Sequence, residues 1–314
     1  MISVKKYQPE YADGWNNFVE NSKNGIFLFH RKYMEYHQHR FEDASLIFYK
    51  KNKVVAVFPA NVMGNVVYSH QGLTFGGLIL AKKITTPEVF EVYNLLKKQY
   101  QSLSFEKIIY KKIPTIFSEI ASEEDLYAMF LDDAVLFRRD LSSVINLQNA
   151  INFSETKKQN VRKGKAKKLQ VREIFEANLF WELLEKTLQK FDVKPVHTLQ
   201  EIDYLRSSFP ENIKFFGVYD SEKLLAGTVI YQFKNVVHTQ YMASSVEGKK
   251  IGALDYLIFE LLKKYADSEK YFSFGISTEN NGRDLNEGLL LQKEMFGARA
   301  LVLDHYEINL ISKR

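Results

Sequence analysis

Apolar residues change period along this chain, and the changes divide it into elements. From Ser45 to His70 the run SLIFYKKNKVVAVFPANVMGNVVYSH places β-branched and aromatic residues in three short stretches. Lys51-Asn52 separates the first two, and a second turn precedes the third, which begins Asn65-Val66-Val67. This pattern predicts three strands joined by tight turns. From Phe215 to Gln240, FFGVYDSEKLLAGTVIYQFKNVVHTQ repeats the order, with Ser221-Glu222 as its first turn. The offset is a constant 170 residues: Tyr49 meets Tyr219, Lys53 meets Lys223, Ala56 meets Ala226 and Asn65-Val66-Val67 meets Asn235-Val236-Val237.

After each meander the period becomes three and four, in PEVFEVYNLLKKQYQ from Pro87 and in ALDYLIFELLKKYAD from Ala253, which predicts an amphipathic helix. A short apolar run follows each helix, EKIIYKKI from Glu106 and KYFSFGI from Lys270. A strand that returns after a crossover helix lies parallel to the strand before it. The chain therefore reads as a mixed α/β unit occurring twice. The boundary falls near Leu147, giving residues 1–147 and 148–314. The second copy opens with a basic helix, the strand LQVREI from Leu169, and two helices in NLFWELLEKTLQKF and TLQEIDYLRSSF.

Composition narrows the chemistry. The 314 residues are 46% hydrophobic and 26% charged, which is ordinary for globular domains. Cysteine is absent, so disulfides, thiolate nucleophiles and Cys-based zinc sites are excluded. The opening MISVKKYQPEYADGW lacks a signal-peptide core, and no segment approaches the roughly 20 apolar residues of a membrane helix. A soluble, cytoplasmic protein is expected. Lys and Arg outnumber Asp and Glu by 43 to 38, a mild excess that suits an anionic ligand. Eight of these cations fall between Lys157 and Arg172 with no acid. That run reads either as a solvated helix joining the two domains or as a site for a phosphate-rich partner. His37-Gln38-His39 reads as a solvated helix, and no metal site is expected. Neither a Ser-His-Asp arrangement nor a Gly-x-x-x-x-Gly-Lys-Ser/Thr loop occurs.

Candidate chemistry gathers after the strand YFSFGI, in STENNGRDLNEGLLLQKEMFGAR. Asn281-Gly282 signals a turn, and Asp284 with Glu287 reads as a helix capping box. Glu279, Asn280 and Asn286 remain, at the carboxyl end of a strand expected in the sheet interior, where open α/β sheets bind ligands. Glu279 suits proton acceptance from an amine and the two amides suit sugar hydroxyls. Lys293 lies on nearly the same helical face as Asn286, as a further substrate contact or a surface lysine. In NVVHTQYMASS, alternation puts His238 and Gln240 on one face and Thr239 and Tyr241 on the other. His238 reads as a general base or a packed strand histidine, and Tyr241 as a substrate contact. In the first copy His70 opens HQGLTFGG, whose glycines permit close approach of an acceptor.

The meander, helix and strand resemble the GNAT N-acetyltransferase fold. Their duplication around a Lys/Arg-rich helix resembles the Fem-like aminoacyltransferases. SHQGLTFGGL from Ser69, EGKKIGALDYL from Glu247 and FGISTENNGRDLNEGLLLQKEMFGAR from Phe274 resemble GNAT-like proteins of bacterial surface-polysaccharide synthesis. The resemblance implies tandem GNAT-like domains with mixed sheets in a Fem-like arrangement. It also implies a V-shaped gap between the third meander strand and the strand after the helix, where a pantetheine arm inserts. Lys249, Lys250, Ile251, Gly252 and Ala253 would then cradle a pyrophosphate, with Lys in place of the usual Gln/Arg and Leu254 in place of the final Gly or Ala. Only the second copy is expected to keep this donor site. No Tyr stands on the last helix to protonate a leaving thiolate. The expected function is transfer of an acyl group, from acetyl-CoA, another acyl-CoA or an acyl carrier protein, to an amine of an amino sugar or a lipid-linked surface-polysaccharide precursor. The alternatives are a Fem-like transferase using aminoacyl-tRNA and an inactive binding module.

Overall fold

A computed structural model describes residues 1–149 and 151–311. The chain divides into two compact units. Unit 1 comprises Met1–Asp140, Asn280–Arg283 and the segment starting at Val302; unit 2 comprises Leu141–Glu279 and Asp284–Leu301. The units part between Asp140 and Leu141, and the last strand is divided between Leu301 and Val302.

In unit 1, strands β1 (Ile2–Lys6), β2 (Leu46–Lys50) and β3 (Lys53–Phe58) pair antiparallel in sequence order. The meander then breaks at Pro59 and resumes as β4 (Asn61–Met63) and β5 (Val66–Tyr68). A proline has no N–H for the ladder, which places the break there. Helix α1 (Thr86–Ser102) starts at a Thr85–Glu88 capping box. It buries Val89, Val92, Leu96 and Tyr100 against Phe48, Phe58 and Ile108. Strand β6 (Lys107–Lys111) then lies parallel to β5, Val66 opposite Lys107 and Tyr68 opposite Ile109.

The long strand β7 (Val135–Asn146) leads into unit 2. Its order is α2 (Glu155–Ala166), β8 (Gln170–Glu173), α3 (Ala177–Leu188), α4 (Leu199–Ser208), β9 (Ile213–Asp220), β10 (Lys223–Gln232) and β11 (Val236–Ser244). Then follow α5 (Val246–Ile251), α6 (Ala253–Tyr265), β12 (Tyr271–Ile276), the ribbon β13 (Thr278–Glu279) and β14 (Asp284–Leu285), α7 (Glu287–Glu294), and β15 (Arg299–Asn309). Strands β8 to β11 pair antiparallel in order, and β12 joins β11 in parallel, Val236 opposite Tyr271. Leu225 to Tyr231 of β10 are all buried, with α3 and α6 packed on the strand.

The repeat is structural as well as alphabetical. A register irregularity falls between Phe48 and Tyr49 in unit 1 and between Val218 and Tyr219 in unit 2, one and the same step at the offset of 170 residues. A second irregularity in unit 2, at Val229/Ile230, falls at the counterpart of Pro59. There Val229 faces Tyr241 and Ile230 faces Thr239, so Gln240 is an extra residue in β11. Beyond it the alternation read from the sequence shifts by one.

His37 corrects the solvated reading of His37-Gln38-His39. It is buried, bonds the Met34 carbonyl through Nδ1 at 2.9 Å, and stacks on Tyr36 and His70. The basic run keeps Lys158, Arg162, Lys163, Lys165, Lys167 and Lys168 exposed, but α2 packs along α6 rather than standing free, and Lys157 is buried.

Candidate active site in the second unit

Strands β11 and β12 stay paired for only three residues, ending at His238 opposite Ser273. Past that point β12 turns onto Gly275, whose φ of 73° is a left-handed conformation that favours glycine. A side chain there would meet the His238 ring at 3.3 Å. The pair opens at its carboxyl end, the end of the strands at which open α/β sheets bind ligands.

His238 stands at this opening. Its Nδ1 lies 3.1 Å from the Ser273 hydroxyl. Burial lowers its pKa to about 4, with the Lys293 charge adding to the effect. The imidazole is therefore neutral at physiological pH, with a free pair on one nitrogen. Ser273, the one small polar residue in the run YFSFGI, was not singled out from the sequence, although its isolation between two phenylalanines was the available signal.

Lys293 is not a surface lysine. It is buried, and its ammonium donates to the carbonyls of Gly275 (2.9 Å) and Ile276 (2.6 Å) and to Ser277 Oγ (2.8 Å). Burial lowers its pKa to about 8. The side chain braces the end of β12 where that strand leaves β11. Unit 1 has a lysine in a similar setting: half-buried Lys111 donates to the carbonyls of His70, Gln71 and Leu73, and burial with the Arg138 charge lowers it to about 8.

Glu279 sits exposed in the β13–β14 ribbon, where its Oε1 accepts from Asn286 Nδ2 at 2.8 Å. Asn286 Oδ1 in turn accepts from the Leu289 N–H at 3.0 Å and caps α7. The capping box read at Asp284 and Glu287 is thus corrected: Asp284 pairs with Glu279 in the ribbon, and the helix begins two residues later than that reading. Asn280 has a left-handed backbone, and its carbonyl accepts from the Arg283 N–H.

Tyr241 is engaged elsewhere in the unit. Its hydroxyl lies 2.7 Å from His197 Nδ1 and accepts from the His197 N–H at 3.3 Å, while its ring meets Trp181 edge-on. Burial raises its pKa. In unit 1, His70 is buried with a φ of 63°, and its Nδ1 has no hydrogen-bond partner. Burial, then the neighbouring His37, Lys111 and Arg31, lower it to about 3. The glycines of HQGLTFGG serve the chain itself: a side chain on Gly77 would run into the Tyr110 ring at 2.7 Å.

The start of α6 departs most from the sequence reading. Lys249, Lys250 and Ile251 lie inside the short helix α5, where the Lys249 N–H is spent on the Ser245 carbonyl and the Gly252 N–H on those of Gly248 and Lys249. Gly252 (φ 72°) joins the two helices. Helix α2 covers this junction. Lys157 Nζ reaches Asp255 Oδ1 at 2.7 Å and Asn160 Nδ2 reaches Asp255 Oδ2 at 2.8 Å. Asp255, in the first turn of α6, thus places a carboxylate where the helix dipole favours an anion. The expected open cradle at Lys249–Ala253 is occupied by the protein's own acid and amide. A side chain on Gly252 would lie 2.4 Å from Asn160. Gly252→Ala should therefore lower stability by about 2 kcal/mol, from left-handed strain and a disturbed, partly buried hydrogen bond. Urea unfolding measures this, and an unchanged midpoint would mean that α2 does not seal the junction.

No protein-family model and no curated protein sequence matches the chain. Solved structures do. FemX superposes with a TM-score of 0.70 over 96% of each chain at 11% identity. L-PGS from Bacillus licheniformis gives 0.63 over 98% of this chain and 94% of its own, at 14% identity. The fold is the tandem GNAT-like fold in its Fem-like form. A tandem GNAT protein from the clavulanic acid biosynthesis pathway agrees over the full length of both chains at a TM-score of 0.51 and 8% identity. At these identities the tandem GNAT-like likeness is one of fold. Among the described residues no helix is long and apolar enough to cross a membrane, and no cluster of three His, Asp or Glu could hold a metal ion.

Proposed function

We propose that the protein is an acyl- or aminoacyltransferase that forms an amide on an acceptor amine at the split between β11 and β12. The observation that carries this reading is the neutral, enclosed His238 at the point where a short parallel pair opens. Attack by an amine on an activated acyl group needs positioning, a base for the amine proton and donors to the developing oxyanion. His238 is the base in this reading, and Ser273 fixes its ring. Glu279 and Asn286 form an acceptor-facing carboxylate–amide pair, with Asn280 beside them in the chain. Lys293 and Tyr241 act by holding the walls. His70 is the candidate through which unit 1 recognises the acceptor, supported by its buried, unpartnered nitrogen. The resemblance to surface-polysaccharide proteins supports an amino sugar or a lipid-linked precursor as that acceptor.

Two donor classes fit, an acyl thioester of CoA or a carrier protein and an aminoacyl ester of tRNA. The Asp255 carboxylate at the start of α6 favours a donor that places no pyrophosphate there. The test supplies labelled acetyl-CoA, an acyl carrier protein thioester and aminoacyl-tRNA in parallel, with glucosamine as acceptor, and follows amide formation. Product from any donor supports the transferase reading, and product from the ester alone selects the second class. If no donor gives product and none raises the melting temperature, the reading fails.

A further inference from the structure

Unit 2 carries a groove that the proposed chemistry does not use. It lies between α2 and the second half of α6, has a volume of about 380 Å³, and is floored by Phe153, Phe259 and neighbouring aliphatic side chains. Its rim holds four exposed cations, Lys158, Arg162, Lys165 and Lys263, and no acid lines it. Lys165 lies over the Phe259 ring at 4.6 Å and Lys263 at 5.7 Å. Glu155 and Glu260 reach Lys158 (2.7 Å) and Lys263 (3.6 Å) from outside the lining. Lys163, Lys167 and Lys168 extend the positive surface along and just past α2.

Why α2 is so basic is not explained by its buried face, which needs only Lys157, Val161 and Gly164. We propose that this groove docks the protein on an anionic membrane surface, the cations meeting lipid headgroups while Phe153 and Phe259 receive hydrocarbon. The two halves of the groove match the two halves of such a surface. Cations on long stems reach a charged headgroup layer, and aromatic side chains sit at the polar–apolar boundary. A polynucleotide backbone would satisfy the cations but leave the apolar floor without a role.

The experiment is flotation of the full chain with phosphatidylcholine vesicles, with and without phosphatidylglycerol, at low and moderate salt. Binding is expected only to the anionic vesicles and should weaken with salt. The double variant Arg162→Glu/Lys165→Glu, on exposed positions and checked for its fold by circular dichroism, should weaken it about tenfold or more. Phe259→Ser should weaken it at unchanged salt dependence, with circular dichroism confirming the fold. A short duplex RNA is run as competitor. No binding to anionic vesicles overturns the proposal. So does binding that survives both variants, or that loses strength with the charge reversal but not with Phe259→Ser. Displacement of the vesicles by RNA, with RNA binding indifferent to Phe259, would assign the surface to nucleic acid instead.

Discussion

His238→Gln is expected to lower kcat by about 100- to 10,000-fold, the range a positioned general base supplies, while affinity for the donor stays nearly unchanged. Glutamine keeps a hydrogen bond to Ser273 but cannot take a proton. The pH profile gives an independent reading. With its pKa lowered to about 4 from an ordinary 6.5, His238 stays neutral and competent down to about pH 5, so wild-type activity should hold there and fall near pH 4. Stability moves over the same interval. Unfolded His238 takes up a proton below about pH 6.5 and the folded form does not until about pH 4, so the folded state loses ground as pH falls through that window. For one such group the loss is about 2 kcal/mol at pH 5. Activity must therefore be measured alongside circular dichroism at each pH. Wild-type kcat in the variant would remove His238 from the chemistry and leave Glu279 as the base to test.

How much of this was legible in the sequence depends on the range of the interaction involved. The duplication was legible because strand period, turn residues and the return strand are local signals. The offset that aligned Tyr49 with Tyr219 also aligns a register irregularity that no letter announces. The parallel pairs β5–β6 and β11–β12 followed from topology alone. Side chains were harder wherever their partner lies far along the chain. Lys293 looks like any lysine on a short helix until the carbonyls of Gly275 and Ile276 are brought beneath it. His37 looks solvated until His70 stacks on it, 33 positions further along the chain. Asp284 read as the cap, and its pairing with Glu279, a partner across a turn, leaves that role to Asn286. The extra residue at Gln240 could not be read, because a bulge is a property of two strands together.

Removing the Asp255 carboxylate should cost more than removing the Lys157 ammonium it binds. Lys157→Met leaves Asp255 with two partners, the Asn160 amide and the N-terminal field of α6. Asp255→Ala leaves Lys157 buried with only the Phe296 ring beneath it, at 4.1 Å. A buried ion stripped of its partner costs about 3–5 kcal/mol, and urea unfolding should place Asp255→Ala there with Lys157→Met below it. The pair also bears on the donor. In the wild type an incoming pyrophosphate at this helix start would meet a carboxylate; in Asp255→Asn it would meet an amide and an unneutralised Lys157. If Asp255 is what keeps the junction closed to anions, calorimetry should detect tighter CoA binding in Asp255→Asn than in the wild type. Equal or weaker binding would place any CoA site away from the start of α6. Tighter binding would show that the helix keeps its latent affinity for a polyphosphate and that helix α2, through Lys157, Asn160 and their shared acid, is what withdraws it.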